Sequence, residues 1–597
     1  MSEIAQQRTG AEDIAWDLSD LYSGVDDPAI ERDMDGAEAR ADALSERYRG
    51  RIADLSAGEL LALTQEYEAL LEQFYRAGSF AQLHWSTKTD DPARGALLQK
   101  VRERGARLQQ KLVFITLEWA DAPDAKAQAL IEDPALARYR HWLETLRRYR
   151  PHLLSEPEEK ILAEKNVTGR SAWARFFNEV QSNARYEFDG ERAPQSVVLS
   201  KLYDPDREVR RRAAESITAG LKSMSHTTTY IFNNILADKA SDDRLRKYPT
   251  WISARNLDNE VDDGSVQALV EAVTSRYDIV ARYYRLKRKL LGVDELFDYD
   301  RYAPLPAADR RYTWAEGREI VLNAYNQFHP RMAEIAALFF ERNWIDAPVR
   351  PGKRGGAFSA SVVPSVHPYI LTNYQARPRD VMTLAHELGH GVHQYLAREQ
   401  GLLQANTPLT TAEMASTFGE ALVFSDLLAR ERDPFARLAM LVAKIEDSFA
   451  TVFRQISMNR FEDAIHTARR GGGELTTDRF SALWLETQRA MFGDSVTLTE
   501  NYGLWWSYIP HFIDVPGYVY AYAFGELLVL ALFARYQEVG PDFADGYIDV
   551  LRKGGSDWPH EIVKPLGVDL TDPHFWHRGL DILDAQVTQA EALATQV

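Results

Sequence analysis

Asp380-Val-Met-Thr-Leu-Ala-His386-Glu387-Leu388-Gly389-His390-Gly391-Val392-His393-Gln-Tyr-Leu396 carries three of the chain's 14 histidines within a few residues of one another. Pro378 and Asp380 are helix-start residues. Val381, Leu384, Leu388, Val392 and Tyr395 then recur at the three- and four-residue spacing of one helix face. The stretch therefore predicts an amphipathic helix. On it His386 and His390 stand one turn apart, about 5–6 Å between their Cβ atoms, with Glu387 rotated beside them. Gly389 and Gly391 each cost about 1 kcal/mol relative to Ala in a helix interior. A helix that only packs gains nothing from two glycines, whereas one whose backbone another segment must approach closely does.

Outward from this helix the same periodicity dominates, for example over Gly58–Phe74, Leu97–Val113 and Ser200–Ala219, the last with Asp204 and Asp206 near its start. The expected fold class is mainly α. Tyr186–Glu191, with Asp189-Gly190 at its turn, reads as a short hairpin, and Gly471-Gly472-Gly473 as a turn. Gly355–Val363 and Tyr369–Tyr374 are β-branched and aromatic runs separated by Pro364 and Pro368; they predict two strands directly before the histidine helix. An edge of that small sheet could hold an extended peptide by main-chain hydrogen bonds, or the pair could be structural alone. The domain boundary is placed near residue 195, giving an N-terminal helical domain (1–195) and a catalytic domain (196–597).

Composition narrows the partners. With 70 Lys+Arg against 88 Asp+Glu, the 597-residue chain carries a formal charge of −18, which argues against nucleic acid or an anionic membrane as the main partner. The absence of cysteine excludes a disulfide scaffold, a Cys-ligated metal and a thiol nucleophile. The N-terminus has acids where a secretory signal needs a basic start. No stretch reaches the ~20 apolar residues of a membrane helix; Leu527–Phe533, preceded by Glu526, reads as a core helix. The expectation is a soluble, cytoplasmic protein, with its oligomeric state open.

The chemistry lies in H-E-x-x-H. Two imidazoles one turn apart suit a tetrahedral Zn²⁺, one per chain, and the carboxylate between them can take a proton from a metal-activated water. A third protein ligand is required. The metzincin pattern would put Gly and His where this chain has His393 and Leu396, so that class is excluded. The following segment, Thr410–Glu420, offers Glu413 and Glu420, seven apart and hence on one face. Thr410-x-x-Glu413 is also a capping box in its own right. After a zinc helix the ligand reading of Glu413 is preferred, with Glu420 behind it, orienting a ligand imidazole. His393 is assigned the same supporting role.

The His386–His393 motif, Glu413-Met414-Ala415-Ser416 with Glu420, Gly356-Ala-Phe-Ser359 and Tyr369–Tyr374 together resemble the oligoendopeptidase F branch of the thimet oligopeptidase-like zinc metallopeptidases. Trp16–Tyr22 and Phe575–Leu583 carry the resemblance to both ends of the chain. It implies a large helical, two-lobed body with a deep central channel that admits short peptides and excludes folded proteins, and a small β-sheet beside a zincin-type helix. It implies His386, His390 and Glu413 as zinc ligands and Glu387 as general base, with a C-terminal His/Tyr cluster stabilising the transition state. Here that cluster is His511 with Tyr518, ahead of Tyr520 and Tyr522, although the spacing is shorter than in the thimet oligopeptidase branch. Gly356, Ala357, Phe358, Tyr520 and Tyr522 are the expected substrate contacts.

The function expected is hydrolysis of internal bonds in short unstructured peptides. The rival readings are a zinc carboxypeptidase on a similar frame and a non-catalytic helical peptide-binding scaffold. No Gly-x-Met-Glu-Asn exopeptidase segment is present, which sets a zinc aminopeptidase aside.

Overall fold

The computed structural model describes residues 8–305 and 310–596. Helix dominates both of the compact units into which the chain divides, and each unit is assembled from three stretches. One comprises Met1–Arg150, Asp309–Ala429 and Arg535–Val568; the other comprises Pro151–Ala308, Arg430–Ala534 and Asp569–Val597.

The first unit opens with helices Pro28–Tyr48, Ala57–Ser86 and Pro92–Asp121, so the predicted segments lie inside longer helices. Their starts are written in the sequence. Asp27 and Asp91 accept backbone N–H bonds ahead of a first-turn proline, and Ser56 with Glu59 forms a capping box. Three short strands follow: β1 (Ile345–Asp346), β2 (Phe358–Ala360) and β3 (Tyr369–Leu371). β3 is central, parallel to β1 and antiparallel to β2, with Ser359 opposite Ile370. The Gly355–Val363 strand is cut to three residues because the backbone turns left-handed on both sides, at Gly356 (φ +79°) and Val362 (φ +60°); the second is a sparsely populated conformation for a β-branched residue. β1 was not foreseen, as two residues carry too short a pattern to register.

Two helices then complete the region. α1 (Pro378–Ala397) begins at its proline, and Asp380 accepts from the N–H groups of Gln375 and Arg377 at 2.8 and 2.9 Å. Val381, Leu384, Leu388 and Val392 are wholly buried. α2 (Met414–Arg430) follows a single turn, Leu409–Ala412. The chain breaks between them at Glu413, so the Thr410–Glu420 segment is not one helix.

In the second unit the Tyr186–Phe188 and Glu191–Ala193 strands pair across Asp189 (φ +50°) and Gly190 (φ +84°), the two left-handed residues of a tight hairpin. The next long helix starts at Arg207, capped by Asp206, and runs to Leu245; Ser200 closes the separate helix Gln195–Ser200. Phe232 on the long helix packs its ring on Phe480, Trp506 and Phe512 at 5.7, 4.7 and 6.4 Å. The triple glycine ends the helix Phe453–Gly472, with Gly473 left-handed. Leu527–Phe533 lies in the helix Tyr520–Val539, buried throughout.

Asp300, fully buried, accepts from Arg207 and from the buried Arg210 (2.7 and 2.9 Å). Removing one partner of a buried pair strands the other charge, which costs about 3–5 kcal/mol. Asp300→Ala is therefore expected to lose about that much stability in chemical denaturation, with Arg207→Ala, at the partly exposed end, losing less.

Candidate metal centre

α1 presents His386 and His390 on one side, ring centroids 4.8 Å apart, with their Nε2 atoms 3.2 Å from each other. Glu413 Oε2 lies 3.4 Å from the first and 3.5 Å from the second. Three ligands at the ~2.0–2.1 Å of Zn–N and Zn–O bonds sit about 3.3 Å apart around a tetrahedral ion. The three donor atoms thus match the edge lengths of such a site, and they form a group able to hold a metal ion. In its chemistry, two imidazoles and a carboxylate, the donor set also suits zinc.

Glu413 reaches this position because α1 and the segment that carries it touch backbone to backbone. A Cβ placed on Gly389 would fall 2.3 Å from the Ala415 carbonyl oxygen and 2.6 Å from Ser416 Cα. Gly391 faces the Phe339 ring instead. The turn at Glu413 is held from several sides. Ser416 Oγ donates to Glu413 Oε2 at 2.7 Å and Tyr547 Oη donates to the Met414 carbonyl at 2.7 Å; on α1 itself, Tyr325 Oη donates to the Ala385 carbonyl at 2.5 Å. Glu413 therefore does not serve as the far end of a capping box: Pro408 is the N-cap of that turn, and the carboxylate faces the imidazoles.

Glu420, one face-repeat further on, lies 2.5 Å from His386 Nδ1. That bond fixes the tautomer that leaves Nε2 free to face the centre. Burial pushes His390 down, against the pull of Glu413 and the Ala412 carbonyl. Burial alone would depress His386, but the Glu420 hydrogen bond and the charges of Glu420, Glu413 and Glu387 push it up to about 9. Glu387 is 6% exposed. Burial first, then Glu413 and Glu420, raise its carboxyl to about 7, against the pull of His386. His393 is buried on the next turn of α1 and held down to about 3 by that burial.

These groups line a cavity of about 450 Å³ whose walls include Ala357, Phe358 and Ser359 of the β2 region, His386, Glu387, His390 and His393. Gln394 ties the strand to α1, accepting from Ser359 Oγ at 2.8 Å and donating to its carbonyl at 3.4 Å. Gly356 is not on this wall; its carbonyl accepts from Asn373 at 2.8 Å. Gln394, four residues beyond His390, was open to recognition from helix spacing. Ser416, Tyr325 and Tyr547 were not, since each acts through a backbone position that only the fold brings near.

The C-terminal cluster belongs to the second unit. There His511 Nε2 lies 3.3 Å from Tyr522 Oη, and the Tyr518 and Tyr522 rings meet edge to face at 5.2 Å. Burial pushes His511 down. Tyr520 stands apart: it is fully buried and its hydroxyl accepts from Asn259 at 2.9 Å, so it presents no surface to a ligand.

Helical architecture, the H-E-x-x-H helix and its acidic neighbour define the class: a metallopeptidase of zincin type. A model of peptidase family M3 matches residues 200–582, and one described as oligopeptidase F matches residues 118–188. The chain is 29% identical over 598 residues to oligopeptidase PepF of Bacillus subtilis, covering 98% of this chain and 88% of that protein. It is 26% identical over 599 residues to an oligoendopeptidase F homolog of Lactococcus lactis, covering 98% and 97%. In fold it is similar to oligoendopeptidase-F from Enterococcus faecium, with a TM-score of 0.70 at 22% identity over 95% and 99% of the two chains. A Chlamydophila abortus chain described as a peptidase gives 0.89 at 22% identity over 97% and 98%. The chain belongs to peptidase family M3, in its oligopeptidase F branch. No helix among the described residues is long and apolar enough to cross a membrane.

Gly389→Ala is expected to push the Glu413 turn away and to weaken metal binding by at least the 10–100-fold that supporting groups command, measured by titration against a competing chelator. Gly391→Ala, which meets only a side chain, is expected to lower stability while keeping the affinity.

Proposed function

We propose that the protein holds one zinc ion per chain on His386, His390 and Glu413 and hydrolyses internal peptide bonds of short, unstructured peptides, with Glu387 as general base. The observation that carries this reading is three donor atoms 3.2–3.5 Å apart with a buried carboxylate, Glu387, on the same cavity wall.

An ion bound there supplies Lewis acidity, polarising the scissile carbonyl and acidifying water at neutral pH. The chain does the rest. Glu387, raised toward neutrality, takes the proton of the attacking water and hands it to the leaving amine; a base poised near the working pH does both. Glu420 keeps the His386 imidazole oriented, and His393 stays neutral behind the pair. β2 is an edge strand, and Ala357 and Phe358 on the cavity wall can align a peptide through its main chain, which orients without demanding a sequence. Gly356 supports that edge from outside the wall. His511 and Tyr518 donate to the developing oxyanion, and Tyr522 lines the approach. The deep channel that excludes folded proteins and a cytoplasmic location belong to the same reading. So does the domain boundary near residue 195, supported by family models that end at 188 and begin at 200.

Glu387→Gln is expected to retain about one zinc per chain by elemental analysis and to lose about 10²–10⁴-fold in kcat; a fully active variant would refute the role. For Tyr518→Phe the expectation is a fall of about 10²–10³ in kcat with KM nearly unchanged, measured on a quenched peptide. A change confined to KM would remove Tyr518 from transition-state stabilisation.

A further inference from the structure

The first unit has a second cavity, of about 470 Å³, which shares no lining residue with the metal cavity. That volume falls within the range of small-molecule sites. The helices Trp314–Phe328 and Pro330–Glu341 build it, with the chain that leads into β1. Much of its wall is apolar: Trp314, Phe339 and Ile345 are buried, and Leu322 and Phe340 are half-buried. The Trp314 and Phe340 rings stand 5.7 Å apart at 59°, a tilt that aromatic pairs favour.

The polar groups on this wall lack partners. Trp314 is 6% exposed, yet its indole N–H makes no hydrogen bond among the described residues. Arg318 holds its guanidinium carbon 5.3 Å from the centre of the Phe340 ring, and no carboxylate among the described residues pairs with it. Glu319 has neither an ion-pair nor a hydrogen-bond partner there. Successive residues of a helix do not face each other, so the two charges do not neutralise one another, and both line the cavity.

An aromatic wall beside one cation and one anion is complementary to a molecule with the same three parts. A free amino acid carries a carboxylate and an ammonium on one carbon, with its side chain beside them. A hydrocarbon would leave both charges without partners. A simple anion would meet Glu319, and a simple cation Arg318.

We propose that this cavity binds a free aromatic amino acid, with its carboxylate on Arg318, its ammonium on Glu319 and its ring against Trp314, Phe339 and Phe340. A guanidinium fork suits the paired oxygens of a carboxylate. Arg318 and Glu319 are exposed, and exposed ion pairs alone bind weakly. The aromatic wall therefore supplies most of the affinity, and the charges select the zwitterion. Phe339 also connects the cavity to the metal helix: a Cβ on Gly391 would fall 2.6 Å from its ring. One ring thus separates a ligand seated on Phe339 from the residue after His390.

Isothermal titration of the zinc-loaded protein with L-phenylalanine is the test. N-acetyl-phenylalanine, phenylalanine amide and glycine serve as controls, lacking the ammonium, the carboxylate and the ring in turn. The expected result is one saturable site per chain for phenylalanine. Each blocked form is expected to bind about fivefold more weakly, and glycine at least about tenfold more weakly. Arg318→Gln and Glu319→Gln, at exposed positions where folding is not at stake, are each expected to weaken phenylalanine about fivefold. Neither residue lines the metal cavity, so these losses distinguish the site from capture of the amino acid at the metal. Absence of saturation at millimolar phenylalanine, an analogue that binds as well as phenylalanine, or an affinity unchanged in either variant overturns the proposal. The readout is binding, so it is separate from turnover at the metal centre.

Discussion

The backbone contact between Gly389 and Ala415–Ser416 sets the geometry of everything around it. Helices normally pack with axes 8–10 Å apart, the distance being set by the side chains between them. At Gly389 there is no side chain, and the next segment closes onto the helix itself. Only then does the short arm of Glu413 bring its carboxylate to both Nε2 atoms. The supports follow from the same approach: Ser416 grips the carboxylate, Tyr547 the following carbonyl, and Tyr325 the carbonyl just before His386. Glu413 has left helical geometry at the junction of two helices, and these bonds keep the junction from relaxing.

Electrostatics explains why such a junction calls for a cation. Three carboxylates, Glu387, Glu413 and Glu420, converge on two imidazoles. With all carboxylates ionised and both rings neutral, the cluster is strongly negative in a poorly solvated place. The raised proton affinities of His386 and Glu387 are the response: protons are held where a divalent ion would otherwise balance the charge. Ligands that must shed protons to bind metal couple the two equilibria, so the same carboxylates that attract an ion also set the proton affinity of the base beside it.

What the sequence made legible follows from the range over which its signals act. Helix periodicity, proline starts and Asp/Ser caps are local, and they located α1 and the long helices. The H-E-x-x-H spacing is fixed by helix geometry, so the two imidazoles and the acid between them could be named in advance, whereas the helix face assumed for Glu413 and Glu420 did not hold, because Glu413 sits at a break between helices. The two glycines were interpretable too, as marks of close approach, but not what approaches: Ala415 and Phe339 are remote in sequence. The strands were overdrawn because the left-handed turn at Val362 has no composition signal. Tyr520 looked like its neighbours Tyr518 and Tyr522, since burial beside Asn259 is a tertiary property. The interleaving of two compact units from three stretches each leaves no trace in composition.

Sequence tolerance places its own demand on a peptide-binding surface, since the contacts must be made to the main chain. The β2 edge, only three residues long between Gly356 and Val362, offers main-chain hydrogen bonds that any extended peptide can make, and its shortness also limits pairing with stray strands. Such an edge contributes orientation but cannot tell an oligopeptide from a loop of a larger chain. In the proposed reading, main-chain pairing at β2 orients a peptide without a specificity pocket for any one side chain.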